Sequence, residues 1–170
     1  MTSTERGLAA PRLATGAAGV WILGVVAVVI AALIGYGLYC PCERLPGGYL
    51  LGAEVTEPVT DWSFANDVPL CQIQVSSGFL PHSINLNCMA AQGSLYLSCS
   101  QCEPKLWSQA ALRDPLARLR AGDNVYPVRL ARVLDPATLD VAWRARASKV
   151  GQPPDSVRPD HWWSFAVTSR

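Results

Sequence analysis

Hydrophobic and polar positions change their rhythm several times along this chain, and each change predicts an element. From Leu13 to Pro41 there is no charged residue, and Gly16 to Tyr39 is almost wholly apolar. A helix over such a run rises about 1.5 Å per residue and spans the roughly 30 Å hydrocarbon core of a bilayer. Trp21 near one end, and Tyr36 and Tyr39 near the other, suit the interfacial belts where aromatic rings gather. The run exceeds the roughly 7–15 apolar residues of a cleaved signal peptide, so it predicts an uncleaved anchor over 13–41. Tyr39 is too bulky before Cys40 for a lipoprotein cleavage site.

Beyond the anchor the period becomes two. Cys71, Ile73 and Val75 alternate with Gln72 and Gln74, and Ile84, Leu86 and Cys88 with Ser83, Asn85 and Asn87. Leu95 to Ser98 is a third apolar strand, and the short turns at Ser77-Gly78 and Gln92-Gly93 argue for an antiparallel meander. Pro104 suits the first turn of a helix running to about Arg113, which Asp114-Pro115 ends. Leu116 to Arg120, a turn at Gly122-Asp123-Asn124, and Val125 to Leu134 read as a hairpin. Asp135-Pro136 reads as N-cap and first residue of a helix to about Val150, closed by Gly151. His161 to Thr168 is a last, aromatic-rich strand. The fold class expected is mainly β: six strands and two helices, preceded by one transmembrane helix. The boundaries expected are a tail over 1–12, the anchor over 13–41, a linker and lead-in over 42–60, and one domain over 61–170.

Composition narrows the function. The 170 residues carry a formal net charge of +1, which gives no bulk electrostatic reason to expect nucleic acid as a partner. Arg6 and Arg12 precede the apolar run and Arg44 follows it, so the positive-inside rule places the N-terminus in the cytoplasm and the C-terminal domain outside it, as a single-pass membrane protein. Six cysteines then matter, because an oxidising compartment permits pairing. Cys71 and Cys88 fall in strand patterns and read first as small buried hydrophobes. No Ser-His-Asp arrangement, Walker loop or paired glycosidase carboxylates stand out, and no metal site is expected; His82 and His161 are isolated. The arginines from 113 to 146 are interleaved with Asp114, Asp123, Asp135 and Asp140, which reads as a paired, solvated surface.

The chemistry concentrates in Leu95 to Trp107. A strand entering a helix through a polar turn aims backbone N–H groups and the positive end of the helix at one spot, with Lys105 beside it, which suits a phosphate. Cys99 and Cys102 make the same turn a candidate disulfide, with redox catalysis and free thiols as the other readings.

Taken in order, Pro81-His-Ser-Ile-Asn-Leu-Asn87, Gly93-Ser-Leu-Tyr-Leu-Ser98, Pro104-Lys-Leu-Trp107, Asp114-Pro-Leu-Ala-Arg-Leu-Arg120 and Val125-Tyr-Pro-Val-Arg-Leu-Ala-Arg132 resemble the flavin-binding split barrel of pyridoxamine-phosphate-oxidase-like proteins, nearer the branch of deazaflavin-dependent nitroreductases. The resemblance covers roughly Asp61 to Arg170. It implies a six-stranded split barrel, a homodimer, and FMN or a deazaflavin whose phosphate is held by the second and third strands and the following turn. Carried over by position, Ser83, Asn85, Ser98, Cys99 and Lys105 line the phosphate end, and Trp107 packs the helix. The catalytic residues are not implied. One departure is plain: Lys105 is the only basic residue between Arg44 and Arg113. The function expected is therefore a membrane-anchored flavin- or deazaflavin-dependent oxidoreductase acting on a small molecule. The alternative is an anchored interaction or assembly module that holds no cofactor.

Overall fold

The computed structural model describes residues 17–39, 45–153 and 155–170. The expected tail, the first residues of the expected span, and Cys40 and Cys42 lie outside the described residues. The chain forms two compact units, one up to Gly35 and one from Tyr36 to Arg170. The first is most of α1, Ala17–Leu38, whose 22 residues extend about 33 Å. It is apolar all round, and none of the Gly19–Leu38 stretch is buried. A helix of this composition in a protein core would be covered by its neighbours. By length and composition α1 is able to cross a membrane.

The second unit is built on one sheet. Its strands are β1 (Ala53–Glu54), β2 (Cys71–Val75), β3 (His82–Leu86), β4 (Cys88–Ala91), β5 (Ser94–Ser100), β6 (Leu116–Ala121), β7 (Asn124–Arg132) and β8 (Trp162–Ser169). Their order is β3-β2-β6-β7-β8-β5-β4, with the short β1 running parallel beside β7 and every other pairing antiparallel. The two ends of that order, β3 and β4, are separated in the chain by Asn87 alone. The sheet must therefore curl until its ends meet, which makes a barrel split between β3 and β4.

This corrects the expectation of six strands in two respects. The single strand expected over His82 to Cys88 stops at Leu86, and the chain then starts β4 on the opposite edge. The meander is accordingly two separate hairpins, β2–β3 and β4–β5. β4 escaped notice because Cys88, Met89 and Ala90 are all buried, leaving no alternation to read. β1 is two residues long and has no pattern of its own.

The barrel interior collects Ile73, Val75, Leu95, Leu97, Leu119, Val128 and Phe165. Helix α2, Leu106–Arg113, plugs it with Trp107, Ala110 and Ala111; the Trp107 and Phe165 rings are 5.1 Å apart. Truncating a buried indole of this kind costs about 3–5 kcal/mol. Pro104 is not in the first turn of α2, as the pattern suggested. The Cys102 carbonyl accepts Lys105 N–H in a turn, so the helix begins two residues later with Lys105 as N-cap. Helix α3, Pro136–Lys149, starts where expected: Asp135 accepts the Thr138 N–H at 2.8 Å and Pro136 occupies the first position. It packs Ala142 and Trp143 against Met89, Tyr96 and Trp162 on the outside of the sheet.

Two disulfides brace the unit. Cys71 and Cys88 are bonded, 17 residues apart, which corrects their reading as unpaired hydrophobes and ties β2 to the start of β4. Cys99 and Cys102 are bonded across the turn before α2.

Candidate functional site

Alternation on β2 sends Cys71, Ile73 and Val75 into the core and turns Gln72 and Gln74 to the outer face. The registers with β3 and β6 then fix what stands beside them. Gln72 faces Asn85 on one side and Arg120 on the other; Gln74 faces Ser83 and Arg118. Two parallel polar rows result, Asn85–Gln72–Arg120 and Ser83–Gln74–Arg118, of nearly the same chemistry.

Their surroundings differ. The second row lies under residues 47–54, which cross the outer face as a strap. Gly47 exchanges both backbone hydrogen bonds with Ser83 on the free edge of β3, at 2.7 and 2.9 Å. Leu50 N–H donates to Gln74 Oε1 at 2.7 Å, and Arg118 Nη1 donates to the Leu50 carbonyl at 3.2 Å. Arg118 also meets Glu54 at 3.0 Å, and β1 completes the strap beside β7. Glycines make the close approach possible: a Cβ on Gly52 would stand 2.6 Å from the Asp123 carbonyl oxygen, and one on Gly48 would meet that of Leu38. Leu50 is buried, and Ser83 is wholly so, its hydroxyl without a partner.

The first row lines a depression. Gln72, Asn85 and Arg120 line a recess of about 360 Å³ rimmed by Val68, Pro69, Leu70 and Gly122. Gln72 Nε2 donates to Asn85 Oδ1 at 3.0 Å, and Arg120 Nε donates to the Gly122 carbonyl at 3.1 Å. Two amides and a guanidinium thus share one depression.

The five residues carried over by resemblance are not gathered in one place. Asn85 lines the recess and Ser83 lies under the strap. Ser98 and Cys99 are consecutive on β5, so their side chains leave opposite faces of the sheet. The Ser98 hydroxyl is buried with Met89 sulfur 4.0 Å away, and Cys99 belongs to the interior cluster. Lys105 is exposed at the start of α2. Cys99 and Cys102 are both buried, 7% and 0% exposed, so their bond is closed to the attacking thiolate that redox exchange requires. Such a five-residue cradle does not fit a phosphate. The smaller set Gln72, Asn85 and Arg120 fits the phosphate end of a flavin-type group, since a guanidinium pairs bidentately with phosphate oxygens and the amides add donors.

Sequence reasoning passed over Gln72, Arg118 and Arg120. The signal was present: Ala117, Leu119 and Ala121 alternate with Arg118 and Arg120, which puts both arginines on one face of β6. What it lacked was the pairing of β6 with β2, 40 or more residues earlier in the chain. Of the arginines expected on a paired surface, Arg118 is tied to the strap through Glu54, while Asp140 pairs with Arg158, which lies beyond that run. Lys149 was also missed. Its ammonium donates to the carbonyls of Ala65, Val68 and Cys88, fastening the end of α3 to β4 and to the 3₁₀ turn Ser63–Asn66. Burial pushes its pKa below the ordinary lysine value, against the attraction of Asp67. Among the described residues no group of three His, Cys, Asp or Glu side chains is placed to hold a metal ion.

No protein-family model matches the sequence, and no curated protein matches it. Among solved structures, a candidate pyridoxamine 5'-phosphate oxidase from Listeria innocua aligns with a TM-score of 0.52 at 10% identity, over 63% of this chain and 88% of that one. The fold is a split barrel of that kind. A conserved hypothetical protein from Mycobacterium tuberculosis aligns with a TM-score of 0.51 at 14% identity, over 69% of this chain and 85% of its own. At such identities the split-barrel likeness is one of architecture.

Proposed function

We propose that this chain is a membrane-anchored split-barrel oxidoreductase that holds a flavin or deazaflavin by its phosphate end in the outer-face recess and acts on a small molecule. The observation that carries this reading is the row Asn85–Gln72–Arg120, three hydrogen-bonding side chains brought from three strands to one recess. A bound flavin-type group supplies the electron or hydride transfer. The protein's part is to bind and orient: Arg120 opposes the phosphate charge, the amides of Gln72 and Asn85 fix its position, and Val68, Pro69 and Leu70 exclude water from one side. Lys105, Ser98 and Cys99 shape the neighbouring turn in this reading rather than touch the phosphate. α1 is the anchor. The two disulfides favour a domain outside the cytoplasm, because such bonds persist in oxidising compartments. The protein acts as a homodimer, as the resemblance implies.

The test is the absorbance spectrum and mass analysis of whatever co-purifies with the full chain in mild detergent, followed by titration with FMN and with a deazaflavin. A bound chromophore, and an Arg120→Met variant that binds at least about tenfold more weakly, are the expected results. A colourless protein that neither compound protects from thermal unfolding would overturn the reading. A second reading, an anchored module without a cofactor, is favoured by one observation: Ser83, Ser98 and Cys99 are 0%, 5% and 7% exposed and closed to any ligand. An empty recess in protein that retains a specific partner on purification would select it.

A further inference from the structure

The β2–β3 hairpin presents an exposed apolar tip that the recess does not use. Gly78 turns it with a φ of 70°, and Phe79 behind it is 100% exposed, with Leu80 46% exposed. A large aromatic ring wholly in water at the end of a hairpin contributes nothing to the barrel. Beside it, Ser76, Pro81 and Leu116 line a recess of about 190 Å³ that also holds Arg118 and Arg170. Arg118 shares its charge with Glu54, while Arg170 is exposed, its backbone N–H bound to the Pro127 carbonyl. Exposed Arg129 stands opposite Leu116 across β6 and β7, and exposed Arg113 precedes β6 by three residues. Apolar tip and arginines thus occupy the same end of the barrel.

Within the same unit, Leu38, the last residue of α1, is joined to the strap. The Leu38 carbonyl accepts Tyr49 N–H at 2.8 Å, and Gly47, two residues earlier, pairs with Ser83 near the start of β3. Phe79 is four residues from Ser83, so the backbone path bounds its distance from Leu38 at roughly 30 Å. We infer that the hairpin tip at Phe79 and Leu80 is a second membrane contact, inserting into the interfacial layer of the bilayer that holds α1, with Arg170, Arg113 and Arg129 against anionic phospholipid headgroups. This rests on the anchored reading above. The chemistry suits the occupant: an aromatic ring and a leucine favour the headgroup–acyl boundary, and each arginine near an anionic surface strengthens binding by about fivefold. It would hold the barrel at a fixed height and tilt, where a span alone would leave it tethered.

Three phenylalanines occur in the chain, which allows a direct test. The full-length protein, made with fluorinated phenylalanine, is reconstituted in vesicles of phosphatidylcholine with phosphatidylglycerol, and the Phe79 resonance is assigned by Phe79→Leu. A lipid bearing a nitroxide near the top of its acyl chain is then added. The Phe79 line is expected to broaden several-fold more than those of half-exposed Phe64 and buried Phe165, and to broaden less when the vesicles are phosphatidylcholine alone or when Arg170→Gln is present. Equal effects on Phe64 and Phe79 would overturn the proposal. Flotation of the same vesicles after alkaline washing separates the two claims. Protein that stays with the vesicles while Phe79 is unaffected sinks the tip contact alone; protein that washes off sinks the anchor and the tip contact with it. A Phe79→Ser, Leu80→Ser variant alters only exposed positions, so it should fold and float as the wild type does.

Discussion

The two polar rows on the outer face are nearly the same in chemistry and opposite in fate. Each has a glutamine on β2 and an arginine on β6, with a small polar residue on β3. In the row of Ser83, the strap's own backbone takes the hydrogen bonds: Leu50 is clamped between Gln74 and Arg118, and Gly47 pairs with Ser83. In the row of Asn85, the same kinds of group border a recess. The difference shows that residue type and register assemble a polar face, and the route of a connecting segment decides which part of it the strap covers.

The largest expected effect breaks the covered row. Arg118→Met removes hydrogen bonds to the Leu50 carbonyl and to Gln74, leaving the part-buried Leu50 carbonyl without this donor, and should cost about 1–3 kcal/mol in urea unfolding. Cleavage by protease within 45–55 should quicken with it. The Glu54 contact is half in solvent, so Glu54→Gln should cost under about 1 kcal/mol. Arg120→Met, on the row that lines the recess, should weaken binding of a phosphate-bearing ligand at least about tenfold while leaving protease cleavage of the strap as in the wild type. Equally quickened cleavage of the strap by both variants would erase the distinction between the rows.

Why the distinction escaped the sequence is a matter of range. β2 and β7 could be read from their alternation, and α3 from Asp135-Pro136, because strand pleat and helix capping are local. The split at Asn87 could not, since a strand that changes edges keeps its local pattern. The strap was opaque for a related reason. Gly47-Gly48 and Gly52 signal a loop, but their close approach to Ser83, Leu38 and Asp123 depends on pairings far along the chain. Of the expected site residues, Asn85 lines the recess, whereas Ser98 and Cys99 were taken together although neighbours on a strand face opposite ways. The disulfide at Cys71 and Cys88 lay hidden because burial in a strand and pairing across the barrel leave the same apolar pattern.

A smaller effect sharpens the comparison at the strand that carries both Ser83 and Asn85. The Ser83 hydroxyl is buried without a partner, so Ser83→Ala should be neutral or stabilising by up to about 1 kcal/mol, because it removes an unsatisfied group. Asn85→Ala should lower flavin affinity. Urea titrations with and without ligand separate the two. Destabilisation of more than about 1 kcal/mol by Ser83→Ala would mean that its hydroxyl is engaged, and the covered row would then be a sealed polar site rather than a strapped one.

The smallest effect concerns His82, which opens that strand opposite Val75. Burial pushes its pKa below the ordinary histidine value of 6.5. Below pH 6.5 the unfolded chain takes up a proton that the folded chain resists, so the contribution to stability is complete above 6.5 and is lost as pH falls through the lowered folded value. The ring remains partly in solvent, which screens the effect to a fraction of about 1 kcal/mol. The urea midpoint of the wild type should therefore fall more between pH 7.5 and 5.5 than that of His82→Gln, which cannot take up the proton. Because His82 is the residue before Ser83, acidification should also speed protease cleavage of the strap at Gly47 before it weakens ligand binding at Arg120. Loss of ligand first, with the strap still protected, would show that the row of Asn85, not that of Ser83, responds to the strand's only histidine.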